Sequence, residues 1–155
     1  MIIPAENVYQ ALFDKVCQIN SSSTPLITSS RRWRSWENYG DITMPAFYQR
    51  QFPGAKLSQV RTFGPTRYLY HAELWFYFAT DVNDFETVTS TVINNYLAAV
   101  DAILAPDVRT PGGARQQLGL GPQIEHCWID GNVAMDEGLV VPPAILLIPV
   151  SILTG

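Results

Sequence analysis

The chain has 155 residues, 47% of them apolar and 15% charged, with a net charge of −4, a length that fits one domain around a single hydrophobic core. Its mean hydropathy is +0.04, and the longest apolar stretch, residues 144–153, is interrupted by Pro149 and Ser151, which excludes a membrane-spanning helix; the N-terminus lacks a basic-then-apolar order, so no secretory leader is expected. Charge lies below the roughly 25% typical of globular domains, which hints at surface buried in an assembly.

The first predicted element is a helix opening at Pro4, a residue suited to a first helical turn because its missing N–H would be unpaired there. Val8, Leu12, Val16 and Ile19 recur at helical spacing beside Phe13, and Asn20, Ser21 to Ser23 and Pro25 stop it. Residues 27–36 read as a strand with Arg31, Trp33 and Ser35 on one face and Arg32, Arg34 and Trp36 on the other. Neither face is apolar, so the strand is expected at an edge or against a partner. Residues 41–45 connect to a second short strand over 46–52. Residues 53–65, with Pro53-Gly54 and Gly64-Pro65, read as a loop or hairpin tip.

Residues 66–80 give the strongest strand signal, because they are dense in aromatic side chains. Tyr68, Tyr70, Ala72, Leu74, Phe76 and Phe78 form the core face. Arg67, Leu69, His71, Glu73, Trp75 and Tyr77 form a second face, too apolar for free solvent and too polar for a core centre, where a subunit contact or a covering segment is expected. Asp81 or Asn83 is expected to cap the second helix, with Asp84 and Glu86 favoured by the helix dipole. Phe85, Val88, Val92, Tyr96, Ala99 and Ile103 make its buried stripe, widened by Ile93, Leu97 and Val100, and Pro106 ends it. Residues 109–122 read as a long functional or flexible loop, within which deletion of Gly112 to Gly119 is expected to leave the fold intact.

Residues 124–134 form a strand in which Asp130-Gly131 is either a two-residue turn or a bulge. The bulge is preferred, because Asp136-Glu137-Gly138 is the better turn. Pro149 in the last strand, 144–153, demands an edge or a bulge. The order predicts a single α+β domain over 1–155: a mostly antiparallel sheet of four to five strands with two helices packed on one face.

Chemistry-bearing constellations are few. His126 and Cys127 are neighbours in a strand and point to opposite faces, while Glu125 shares a face with Cys127; one acid and one thiol make no metal site. His71 and Glu73 share a face and could form an acid–base unit, though a hydrogen-bonded pair at a contact surface is the simpler reading. Gly119 and Gly121 open no helix, so they form no dinucleotide turn. No catalytic residue, cofactor or metal is expected. Cys17 and Cys127 are expected to be unpaired thiols of a reducing compartment.

Charge is uneven. Residues 1–80 carry eight Lys/Arg against five Asp/Glu and residues 81–155 carry two against nine, so the halves hold +3 and −7. Such a split lets one face of a subunit meet the opposite face of a neighbour. No basic stripe argues for nucleic-acid binding, and arginine interleaved with tryptophan over 31–36 is an interface composition.

The arginine–tryptophan stretch 30–36 followed by Met44-Pro45-Ala46-Phe47, the aromatic strand 72–78 leading into an acidic helix start, His126-Cys127-Trp128-Ile129-Asp130-Gly131, Asp136-Glu137-Gly138 and the closing apolar strand together resemble the tail-terminator (tail completion) proteins of bacteriophages with long non-contractile tails. The resemblance covers most of the chain and includes no catalytic signature. It implies a structural virion protein, not an enzyme. Such a subunit forms a ring, usually a homohexamer, that caps the last ring of tail-tube protein, ends tail polymerisation and joins the head-completion (connector) protein. DNA passes through the lumen without specific binding, and no membrane is involved. The implied location is the host cytoplasm during assembly and the head–tail junction of the virion thereafter.

The resemblance carries over no residue role; the charge split, the half-polar strand faces and the loops without another evident task place the expected subunit or partner contacts at Arg31, Arg32, Trp33, Arg34 and Trp36, the loop residues Pro53, Gly54 and Gly64, and Arg109, Gly112, Gly113, Arg115, Gln116 and Gln117. The alternatives are another head–tail connector or tube-like subunit, or a small enzyme using His71 and Glu73.

Overall fold

The computed structural model describes residues 3–51, 58–60, 67–80, 83–84, 86–138 and 142–155, without the side chains of 38, 39 and 58–60. Among these residues two α-helices, α1 (Ala5–Cys17) and α2 (Thr89–Ile103), accompany nine strands: β1 (Thr28–Ser30), β2 (Ala46–Gln51), β3 (Ser58–Val60), β4 (Arg67–Phe78), β5 (Val108–Thr110), β6 (Gly113–Arg115), β7 (Ile124–Ile129), β8 (Ala134–Asp136) and β9 (Ala144–Thr154). The expected α+β class is what the chain adopts.

Seven strands form the main sheet, in the order β1-β2-β4-β9-β7, with β3 beside β4 and β8 beside β9. The long strands β4 and β9 pair antiparallel from Leu69↔Leu153 to Phe78↔Ala144. On the far side of β4, β2 pairs with 72–77 and β3 with 67–69. On the far side of β9, β7 pairs with 150–154 and β8 with 145–147. Seven strands therefore fill five positions, and among the described residues only the β1–β2 pairing is parallel.

Both helices pack on one sheet face. Alternation along β4 sends Tyr70, Ala72, Leu74, Phe76 and Phe78 into that core, as expected. Leu146, Ile148, Val150 and Ile152 of β9 join them, opposite Val8, Leu12 and Val16 of α1 and Ile93, Tyr96 and Val100 of α2. The stacked Phe47 and Phe76 rings, with centroids 4.8 Å apart, sit within it. Gln49, a buried polar residue on β2, donates from its Nε2 to the Tyr9 carbonyl at 2.8 Å, which ties α1 to the sheet.

Several expectations need correction. Residues 27–36 are not one strand: only Thr28–Ser30 pairs, and a 3-10 helix spans Trp36–Asp41. With neither face cleanly apolar, the segment gains more by laying its side chains over the sheet than by continuing a ladder. Helix α2 begins at Thr89, not beside Asp81 or Asn83, and its N-cap Val88 is 58% exposed. Asp84 instead closes a turn before the helix, accepting the Glu86 and Thr87 N–H groups at 2.9 and 3.0 Å, as Asp side chains do in non-helical turns. Asp81 and Phe85 lie outside the described residues.

Residues 109–122 are not an open loop. They hold the β5–β6 hairpin and then a buried run, Gln116 to Leu118. Glu125 does not share a face with Cys127, because a register shift between Ile124 and His126 breaks the alternation and sends both Ile124 and Cys127 into the core. Pro149 is not at an edge, since β9 is paired on both sides. The bulge preferred at Asp130-Gly131 is what forms: β7 and β8 run alongside β9 in the same direction, and 130–133 oppose only 148–149. The Asp130 N–H donates to the Pro149 carbonyl at 3.0 Å. Pro149 therefore turns its backbone toward the bulge, where its missing N–H breaks no ladder. Gly138 closes the next turn at φ +69, where a Cβ would lie 2.8 Å from the Pro143 carbonyl carbon and the Ala144 nitrogen.

Candidate functional site

The outer sheet face, opposite the helices, carries His71, Glu73, Trp75 and Tyr77 of β4. It divides into two zones. The first is covered by residues 31–45, the segment between β1 and β2. Trp33 meets Trp75 edge-on, with centroids 5.4 Å apart. The Arg50 guanidinium lies 4.0 Å from the Trp33 ring centroid and 5.0 Å from that of Trp75, and its Nε donates to Glu73 Oε1 at 2.8 Å. A cation held over two indole faces and neutralised by a buried carboxylate is a well-compensated arrangement. Tyr77 donates to the Arg34 carbonyl at 2.7 Å, and burial pushes its phenol well above the ordinary range. Ile42, Ala46, Tyr48 and Tyr77 complete a small second core beneath. Part of the second β4 face is thus met by a covering segment of the same chain.

The second zone lies across β4, β9 and the end of β7. Ser151 donates to Asp130 Oδ2 at 2.7 Å, and its oxygen lies 3.0 Å from His71 Nδ1. The hydroxyl proton is directed to the carboxylate, so the serine stands between acid and imidazole. Nucleophilic activation needs the imidazole between serine and acid, so this chain of bonds ties three strands together. Glu73 is engaged with Arg50 and His71 with Ser151, so the two do not form the acid–base pair that the sequence allowed. Around them Leu69, Trp128, Leu147 and Leu153 are half-buried and belong to neither hydrophobic cluster.

At the β7 edge, Gln116 organises its surroundings. Its Nε2 donates to the carbonyls of Ile103 and Ala105 at 3.3 and 2.8 Å, capping the end of α2, and its Oε1 accepts the Leu118 N–H at 3.0 Å. Its backbone N–H donates to His126 Nδ1 and its carbonyl accepts the Cys127 N–H, both at 3.0 Å. His126 stacks on Trp128 at 5.7 Å. Burial, then the nearby Arg115 charge, lowers the His126 pKa, with Glu125 opposing. His126 points away from the core and Cys127 into it, as the strand parity predicts. The Cys127 thiol is buried and pushed up to about 12, while Cys17 is half-buried; both are free.

Of the other candidates, Arg31 is held by Glu6 and, at 3.1 Å, by Gln10. Arg32 is exposed, and among the described residues its guanidinium has no partner; only its backbone N–H is bonded, to Ser30. Trp36 opens the 3-10 helix and is 36% exposed. Arg109 is exposed on β5, Gly112 and Gly113 lie at the hairpin turn, and Arg115 bonds the Gly112 carbonyl at 3.1 Å and faces Glu125 at 3.6 Å. Gln117 is buried. Pro53, Gly54 and Gly64 lie outside the described residues.

The sequence reading missed Arg50, Ser151 and Asp130. No local pattern announces them, because their partners are distant in the chain. Among the described residues no group of three or more His, Cys, Asp or Glu is placed to hold a metal ion, and no helix is long and apolar enough to cross a membrane. No protein-family model matches the chain, and no curated protein matches it.

Proposed function

We propose that this chain is a structural subunit that assembles with copies of itself into a ring, of the phage tail-terminator kind, which caps a tail tube and offers its other side to a head-completion protein. The observation that carries the reading is the outer sheet face beside the covering segment. Leu69, Trp128, Leu147 and Leu153 are half-buried there and join neither core, on a chain of only 15% charge. Half-exposed apolar side chains set around a small polar cluster, on a low-charge protein, suit a protein–protein contact. His71 and Glu73, the residues that would serve an enzyme, are each engaged elsewhere in the fold.

Negative-stain imaging of the purified protein tests the reading. A terminator gives single closed rings and stops the growth of tail tubes in an assembly reaction. Open stacks would favour a tube-like subunit. Tubes of unregulated length in its presence would remove the terminator reading.

A further inference from the structure

The two edges of the main sheet are related in a way that the residue contacts alone do not reveal. Following the pairing across the sheet, Thr28↔Ala46↔Tyr77↔Ile145↔Asp136 is one row, Ser29↔Phe47↔Phe76↔Leu146↔Met135 the next, and Ser30↔Tyr48↔Trp75↔Leu147↔Ala134 the third. Strands β1 and β8 thus sit at the same level, at opposite edges, three residues each. β1 runs parallel to β2, β2 antiparallel to β4, β4 to β9 and β9 to β8. β1 and β8 therefore point in opposite directions. If one molecule is placed beside another in the same orientation, β8 of the first meets β1 of the second antiparallel.

Among the described residues no strand pairs with the outer side of either β1 or β8. Each edge also exposes a large apolar side chain, Ile27 at 63% and Met135 at 48%. Unpaired edges of this kind template the addition of another strand. Their charges are opposite. Beyond β1 come Arg31, Arg32 and Arg34, against Glu37 and Asp41, and Arg32 is the one with no partner among the described residues. Around β8 stand Asp130, Asp136 and Glu137, and no Lys or Arg occurs from Gln116 to the last residue.

We infer that the occupant of the β8 edge is the β1 edge of a second copy of this chain, so that the sheet continues from subunit to subunit with Thr28 level with Asp136, Ser30 level with Ala134, and Arg32, which follows β1, reaching Asp130, which precedes β8. The contact is heterologous. Repeated, it closes into a ring if the rotation between neighbours allows, and otherwise grows as an open filament. The inference rests on the assembly reading above and specifies its subunit contact. The short ladders set direction and register, and the opposed charges select the partner edge.

The test is a charge-swap cycle on the full chain, read by light scattering at low and at high salt, with circular dichroism to verify folding. Arg32→Glu and Asp130→Arg should each lower the mass of the assembly at low salt, and the double variant should restore it. Cross-linking gives a second reading, because Ser29 and Met135 share a row and a face. Ser29→Cys together with Met135→Cys should form intermolecular disulfide ladders on oxidation, and neither single variant should. A wild-type monomer at all concentrations would remove the assembly reading and this contact with it. A wild-type oligomer whose mass no swap changes, or single cysteine variants that cross-link into dimers, would overturn the edge contact and leave the assembly reading standing.

Discussion

Replacing Gln116 with alanine should cost more stability than any loop residue would. The side chain is 1% exposed and makes three hydrogen bonds: two donated to the carbonyls of Ile103 and Ala105, one accepted from the Leu118 N–H. Each buried group left without a partner costs about 1–3 kcal/mol. Ala105 is exposed, so its carbonyl finds water in the variant; the Ile103 carbonyl and the buried Leu118 N–H find it less easily. The expected loss is about 2–4 kcal/mol, a drop of about 5–15 °C in Tm for a domain of this size. Urea unfolding should show a lower midpoint with an unchanged slope. Gln116→Glu should be worse near neutral pH than in mild acid, because an ionised carboxylate only accepts and would face two carbonyls. A Gln116→Ala loss below about 0.5 kcal/mol, within the range of ordinary surface substitutions, would refute the assignment of this residue as the α2 end cap. For the same reason a deletion that reaches Gln116 is not neutral, and a tolerated one is confined to the hairpin tip.

Leu74 is fully buried at the centre of β4, so Leu74→Ala should lose roughly 2–5 kcal/mol, and an unchanged Tm would contradict the strand register. Thiol titration without reductant should find two reactive groups per chain after denaturation; in the native state Cys127 should stay silent, because its thiol is buried and its pKa is pushed up to about 12, and fast native reaction at Cys127 would contradict its burial. The His126 pKa lies below its ordinary value of 6.5, through burial first and the Arg115 charge second. The unfolded chain then binds the proton more readily, so stability should fall as pH drops through about 6.5, and His126→Gln should remove that step from the pH profile of the urea midpoint; an identical profile in the variant would assign the step elsewhere.

The elements with strong periodicity were legible in the sequence. The α1 stripe, the inward face of β4, the bulge at Asp130 and the course of β9 follow from alternation, helical spacing and the position of one proline. Residues 31–36 were misread because alternating arginine and tryptophan has strand parity, while the ring contact of Trp33 with Trp75 and Arg50 is tertiary and leaves no local trace. The run at 116–118 was misread because polar, Gly-flanked composition resembles a loop, and only the fold brings the end of α2 and His126 within reach of Gln116. The outer face was legible as half-polar and its covering segment only as one of two options. The alignment of β1 with β8 required the complete register of five sheet positions, which no local pattern encodes.

The most direct test of the assembly reading is the solution mass of the purified wild-type chain by light scattering across a wide concentration range. The account predicts one discrete species whose mass is a small integer multiple of 17.3 kDa and does not grow with concentration, as a closed ring requires. A mass of one subunit throughout would contradict it.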